Sequence, residues 1–170
     1  MPGLAAVAEY IDRIIAAIGR IAAWAVLVVV LVEFTVVLLR YGLGVGSIWL
    51  QETVVYAHAA LFMLAAAWTL AAGGHVRVDI FYARASARHK AWVDLLGTAC
   101  FLLPFMAALL LLSLPYVGRS WAILERSREA SGLPLVFVLK TLIPALAVLM
   151  LLQGVSLAIR AALVLADEPR

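Results

Sequence analysis

Four ionisable side chains interrupt apolar stretches of this sequence: Glu33, Glu52, His58 and Lys140. Charges in such stretches are costly, so each carries a packing or a functional role. Two carboxylates and an ammonium can form interhelical ion pairs or line an ion path. A histidine can hydrogen-bond across helices or ligate haem or a metal. Other chemistry is missing. The sequence has no Ser–His–Asp arrangement, no HExxH helix, no phosphate-cradling glycine loop and no CxxC. Gly73-Gly74 lacks the Lys-Ser/Thr that completes a phosphate loop. Cys100 is the single cysteine, which excludes an intramolecular disulfide or a cysteine metal cluster. No cofactor is expected.

The elements that must position these residues are four long apolar runs: 21–39, 48–72, 91–114 and 133–165. Each is near or above the roughly 20 residues a helix needs to cross about 30 Å of hydrocarbon. Where no water reaches the backbone, amides must pair within their own segment, so the runs are read as helices. The chain is 66% hydrophobic and 14% charged, with a mean hydropathy of +1.10. A soluble domain has about 45–50% apolar and about 25% charged residues. The fold class expected is therefore all-α integral membrane, one domain over residues 1–170 with four transmembrane helices. Little chain remains outside the bilayer, which leaves no room for a soluble catalytic domain. The net charge of +3 reflects basic residues gathered in the gaps, not a nucleic-acid surface.

Charge in the gaps sets orientation. Arg13, Arg20, Arg77, Arg84, Arg88, Lys90, Arg160 and Arg170 share one side; Arg40, Arg119, Arg126 and Arg128 share the other. The bias predicts both termini in the cytoplasm. Residues 1–20 carry Glu9 and Asp12 beside Arg13 and Arg20, unlike a cleavable secretory signal. Leu4, Val7, Ile11, Ile14, Ile15 and Ile18 form one helical stripe, which predicts an interfacial helix over 3–19. Gly42, Gly44 and Gly46 predict a tight turn between the first two spans. The gap at 116–131 interleaves Trp121, Ile123 and Leu124 with charges, and predicts an amphipathic helix on the outer surface. Trp24, Trp49, Trp68, Trp92 and Trp121 fall near span ends. Pro104 and Pro144 are expected to bend the third and fourth helices. No inverted repeat of the kind found in complete transporters is visible.

Depth then groups the charges. At 1.5 Å per residue, Glu33 lies roughly 10 Å, Glu52 roughly 6 Å and Lys140 roughly 9 Å below the outer surface. That level predicts an ion pair from Lys140 to Glu33 or Glu52; the plainer alternative is a snorkelling lysine with acids facing headgroups. His58 is near the midplane, where Cys100 or Met106 could complete a ligand pair, but a hydrogen bond is the simpler role. Gln51 and Gln153 suit hydrogen bonds across helices. Asp94, near the end of the third span, is expected to stay wet.

Three short motifs recur in order at the span ends. Arg40-Tyr41 closes the first span, and Trp49 and Glu52 open the second. Gly74-His75-Val76-Arg77-Val78-Asp79 closes the second. Glu129-x-Ser131-Gly132-Leu133-Pro134 precedes the fourth. From about residue 20 to 160 the chain resembles the small membrane subunit of tripartite ATP-independent periplasmic (TRAP) transporters. It has Gln51-Glu52 where many relatives have two acids. The resemblance implies a scaffold that performs no chemistry. It implies a large polytopic permease subunit holding substrate and sodium sites, and a periplasmic solute-binding protein delivering an organic solute, typically a carboxylate. Transport would be driven by an ion gradient, a symport. Three other readings compete: a small dimeric multidrug-type exporter, a haem-binding anchor using His58, and an intramembrane enzyme. Glu33 is off-centre for the first, and clustered nucleophiles are missing for the last.

Overall fold

The backbone answers its apolar surroundings with helices alone: every regular element among the described residues is helical. The computed structural model describes residues 2–75, 82 and 84–167. Helix α1 (Pro2–Ala23) runs into α2 (Ala25–Gly42), and α3 covers Ile48–Ala71. Helix α4 (Ala87–Gly97) continues through a π segment (Thr98–Leu102) into α5 (Leu103–Ala122), and α6 covers Val136–Ala166. Four stretches are long and apolar enough to span a membrane: Gly3–Gly42, Ile48–Ala71, Ala87–Ala122 and Val136–Ala166. The all-helical, four-span class read from the sequence is the one observed.

Helix α6 is the axis. α1, α3 and the α4–α5 rod pack on it, whereas α2 packs on α3 and meets α1. Small residues on α6 (Ala147, Gly154, Ser156 and Ala161) are buried. They let neighbouring backbones approach closely, which is how helices associate when lipid removes the hydrophobic drive. A methyl on Gly154 would sit 2.9 Å from Leu103 Cδ2. Ile15, Ala67, Leu149 and Met150 form the central cluster, joining α1, α3 and α6.

The stripe on α1 is divided between two surfaces. Ile15 is buried and Ile11 and Ile18 pack on the central cluster, while Leu4, Val7 and Ile14 stay exposed. Trp68 lies near the end of α3, as expected, and faces inward. It packs on that cluster against Gly19, where an added methyl would lie 2.5 Å from Trp68 Cβ.

Helix ends follow local chemistry. Gly73, at φ +67, closes α3 with Gly73 N donating to Leu70 O at 3.1 Å and Gly74 N to Thr69 O at 2.9 Å. Ser47 and Ser86 cap α3 and α4 by accepting from the amides of Leu50 and His89. Pro104 follows the π segment. Its ring would clash with the carbonyl of Cys100 in a regular helix, and the wider π turn removes that conflict.

One expected element is absent. The amphipathic helix read over 116–131 does not form: residues 116–122 complete α5, and 123–135 fold as turns. Leu124 leaves the helical region at φ 46, and the amides of Leu124 and Glu125 turn back to the carbonyls of Trp121 and Ser120. This repeats the closure of α3 with leucine in place of glycine, a strained choice.

Close packing at Gly19 gives a direct test. Gly19→Val should destabilise the purified protein by about 1–3 kcal/mol through overpacking against Trp68. Gly97→Ala, in an open helical position, should leave the melting temperature unchanged or raise it. Thermal unfolding in detergent checks both signs.

Candidate functional site

Two clusters of polar side chains among the described residues tie α6 to its neighbours, one toward each end of that helix. The loop-end cluster begins with the turn at Leu124. That turn points Glu125 back, so that its Oε2 accepts from Ser120 Oγ at 2.7 Å and from Lys140 Nζ. Lys140 also lies 4.2 Å from the centre of the Tyr116 ring, a cation–π contact. Both charged side chains are mostly covered, Lys140 at 17% and Glu125 at 31% exposed. Next to them Trp121 Nε1 donates to Thr141 Oγ1 at 2.9 Å, and its ring meets Phe137 edge-on at 4.7 Å. The end of α5 is thereby tied to the start of α6.

Glu52 joins α3 to the same loop. Its carboxylate accepts from Ser127 Oγ and, at 2.5 Å, from the amide of Leu133. Ser127 Oγ in turn accepts from Glu129 N at 3.1 Å, and Gly132 N donates to Glu129 O at 3.0 Å. Gly132 has no room for a side chain: a methyl would lie 2.7 Å from Glu52 Oε1 and closer still to Ser127 Oγ. Two sequence motifs, around Glu52 and around Gly132, are thus one structural unit.

The terminal-end cluster was not legible beforehand. Asp12 on α1 accepts from three side chains of α6. Its Oδ1 receives Gln153 Nε2 at 3.2 Å and Ser156 Oγ at 2.6 Å, and its Oδ2 receives Arg160 Nε at 3.0 Å as well as Nη2. Gln153, Ser156 and Arg160 sit at i, i+3 and i+7, one face of a helix. That polar face in an apolar run was the available signal.

The expected pairing of Lys140 is corrected: its partner is Glu125, in place of Glu33 or Glu52. The acid comes from the loop, which folds back over the start of α6, and not from a neighbouring span. Glu33 is exposed and has no partner among the described residues. His58 is exposed too, while Met106 packs on the core, so the two do not form a ligand pair. Cys100 is exposed. Among the described residues no group of three or more His, Cys, Asp or Glu side chains could hold a metal. Gln153 makes its hydrogen bond across helices; Gln51 is exposed and makes none among the described residues. Asp94, expected to be wet, is half-buried and accepts from Tyr82 at 2.7 Å.

Among the motif residues, His75 Nε2 lies 3.3 Å from Ala66 O, while Arg40, Trp49, Glu129, Ser131 and Pro134 are exposed. Arg77 and Asp79 lie outside the described residues.

Residues 26–163 match the family model described as tripartite ATP-independent periplasmic transporters, DctQ component. The chain belongs to this family. It is the TRAP transporter small component, a part of a transporter and not an enzyme. Searches of curated proteins and of solved structures return no match. The matched range holds the whole loop-end cluster of this TRAP small subunit, whereas α1 and Asp12 lie before it.

The carboxyl of Glu125 is held below its ordinary value of 4.5 by the hydrogen bonds from Lys140 and Ser120. A depressed carboxyl stabilises the fold at every pH above its ordinary range and loses that effect as pH falls through the lower, folded value. The link from Glu125 to Lys140 should therefore stay intact at neutral pH and fail only below about pH 4.5. Melting temperature against pH should fall on the acid side in the native chain and fall less in Glu125→Gln. Gly132→Ala should lower stability as Glu52→Gln does, and combining them should add little, because both act on one unit.

Proposed function

We propose that this TRAP small subunit is the immobile scaffold of a secondary, ion-gradient-driven importer. Its partners are a large polytopic permease subunit, holding the substrate and coupling-ion sites, and a periplasmic solute-binding protein that delivers an organic carboxylate. One observation carries the reading: α6 is fixed to its neighbours by polar clusters at both ends. A moving element needs a free end, which this arrangement disfavours. The bias of Lys and Arg supports cytoplasmic termini in a bacterial inner membrane. In that orientation the Glu125–Lys140 pair faces the periplasm and Asp12 lies on the cytoplasmic side. The exposed Leu4 and Val7 at the start of α1 suit contact with membrane lipid.

Locking the scaffold should do no harm. In a Cys100→Ser background, Ala8→Cys and Ser156→Cys place thiols where Ser156 Oγ now lies 3.3 Å from Ala8 O. Joining them with a short bifunctional reagent in proteoliposomes of the complete transporter should leave solute uptake unchanged. Arrested uptake would refute an immobile role. This chain reconstituted alone should give no uptake, and uptake should appear when the large subunit is added.

A further inference from the structure

Two titratable side chains within the spans are left exposed among the described residues. Glu33 lies on α2 and His58 on α3, both exposed, and neither has a partner among the described residues. Because α2 runs on to Gly42, past the end of its apolar run, Glu33 lies nine residues before the end of α2 and His58 ten residues after Ile48, the start of α3. Antiparallel neighbours therefore hold them at one level. Arg40 and Gln51 repeat the arrangement one heptad nearer the turn, again exposed and again level with each other.

The outward stripe that runs from the π segment into α5 is the natural comparison. Phe101, Phe105, Ala108 and Leu112 are exposed at steps of four, three and four residues. Gln51, Val55, His58 and Phe62 on α3 are exposed at the same steps. Hydrocarbon satisfies the first stripe, which has no polar side-chain atom. It would strand an amide and an imidazole on the second, and a carboxylate beside them on α2. Among the described residues α2 packs chiefly on α3 and meets α1, and no other helix gives Glu33 or His58 a hydrogen bond or ion pair.

We propose that the α2–α3 pair is the face this chain presents to the large polytopic subunit. The partner places a basic or hydrogen-bond-donating side chain against Glu33, and a polar group against His58, at a shared depth. The proposal rests on the scaffold reading above and adds to it the surface of attachment.

Photocrosslinking in native membranes holding the complete transporter tests it. p-Benzoylphenylalanine replaces Val37 on α2 or Val55 on α3, and Ala108 or Leu112 on α5. Positions 37 and 55 should give an adduct with the mass of this chain plus the large subunit, and positions 108 and 112 none. Adducts from 108 and 112 alone overturn the face and leave the scaffold reading standing, as does the lack of adducts at 37 and 55 while the large subunit copurifies. An adduct of twice this chain's mass puts a second copy on the face and overturns the proposal. If no large subunit copurifies or crosslinks from any position, the scaffold reading falls as well. Glu33→Leu separates attachment from folding. The chain purified alone should melt no lower than the native one, since the carboxylate has no internal partner. Retention of the large subunit should drop roughly tenfold, equivalent to about 1.4 kcal/mol. Unchanged retention overturns the role given to Glu33.

Discussion

A polar side chain within hydrocarbon must find its partner in the protein, because no water is there to serve it. That constraint organises this molecule around α6. The helix carries Lys140 and Thr141 near its start and Gln153, Ser156 and Arg160 toward its end. Partners come from distant parts of the chain: Glu125 and Trp121 from the end of α5, and Asp12 from α1. Apolar packing alone would hold these helices together without fixing one vertical register, since leucine and valine surfaces resemble each other and resemble lipid. The polar contacts select the register. Ion pairs of this kind are weak evidence for net stability, and specifying a single arrangement is their better-attested use.

The legible and illegible parts of the fold divide on the same principle. The spans could be read because hydrocarbon imposes length and composition on each one locally. Glu52 and Lys140 could be singled out because charge in an apolar run is conspicuous. Their partners could not be read, because partner choice depends on how turns fold. Glu125 looked like one charge among several in a surface segment, and only the left-handed turn at Leu124 aims it at Lys140. Asp12 was hidden for a related reason. A carboxylate flanked by Arg13 in an amphipathic stretch reads as solvated, and α1 packing on α3 and α6 is a tertiary fact.

Gly132 illustrates how a motif acquires physical meaning. In the sequence it is a glycine before a proline, a plain helix-boundary signal. In the structure its hydrogen side allows Ser127 and Glu52 to meet, so that a carboxylate on α3 can take the amide of Leu133. The loop needs that anchor. Residues 123–135 have no regular structure, and their amides would otherwise depend on water and on short turns. Glu52 thus does two things at once: it shapes the loop, and it fixes where α6 begins relative to α3.

Tethers at both ends also change what α6 can do. A helix held only by apolar contacts can slip by one turn, about 5.4 Å, and repack similar side chains. Slippage here would withdraw Lys140 from Glu125 and, in the same movement, withdraw Arg160 and Ser156 from Asp12. A slip of the whole helix, Val136–Ala166, would take both losses together, and only a bend at Pro144 could separate them. Tilting fares no better, since a pivot that spares one end swings the other. The register of the axis is therefore set by a few polar side chains toward its ends, and the small residues between them only have to let the neighbours come close.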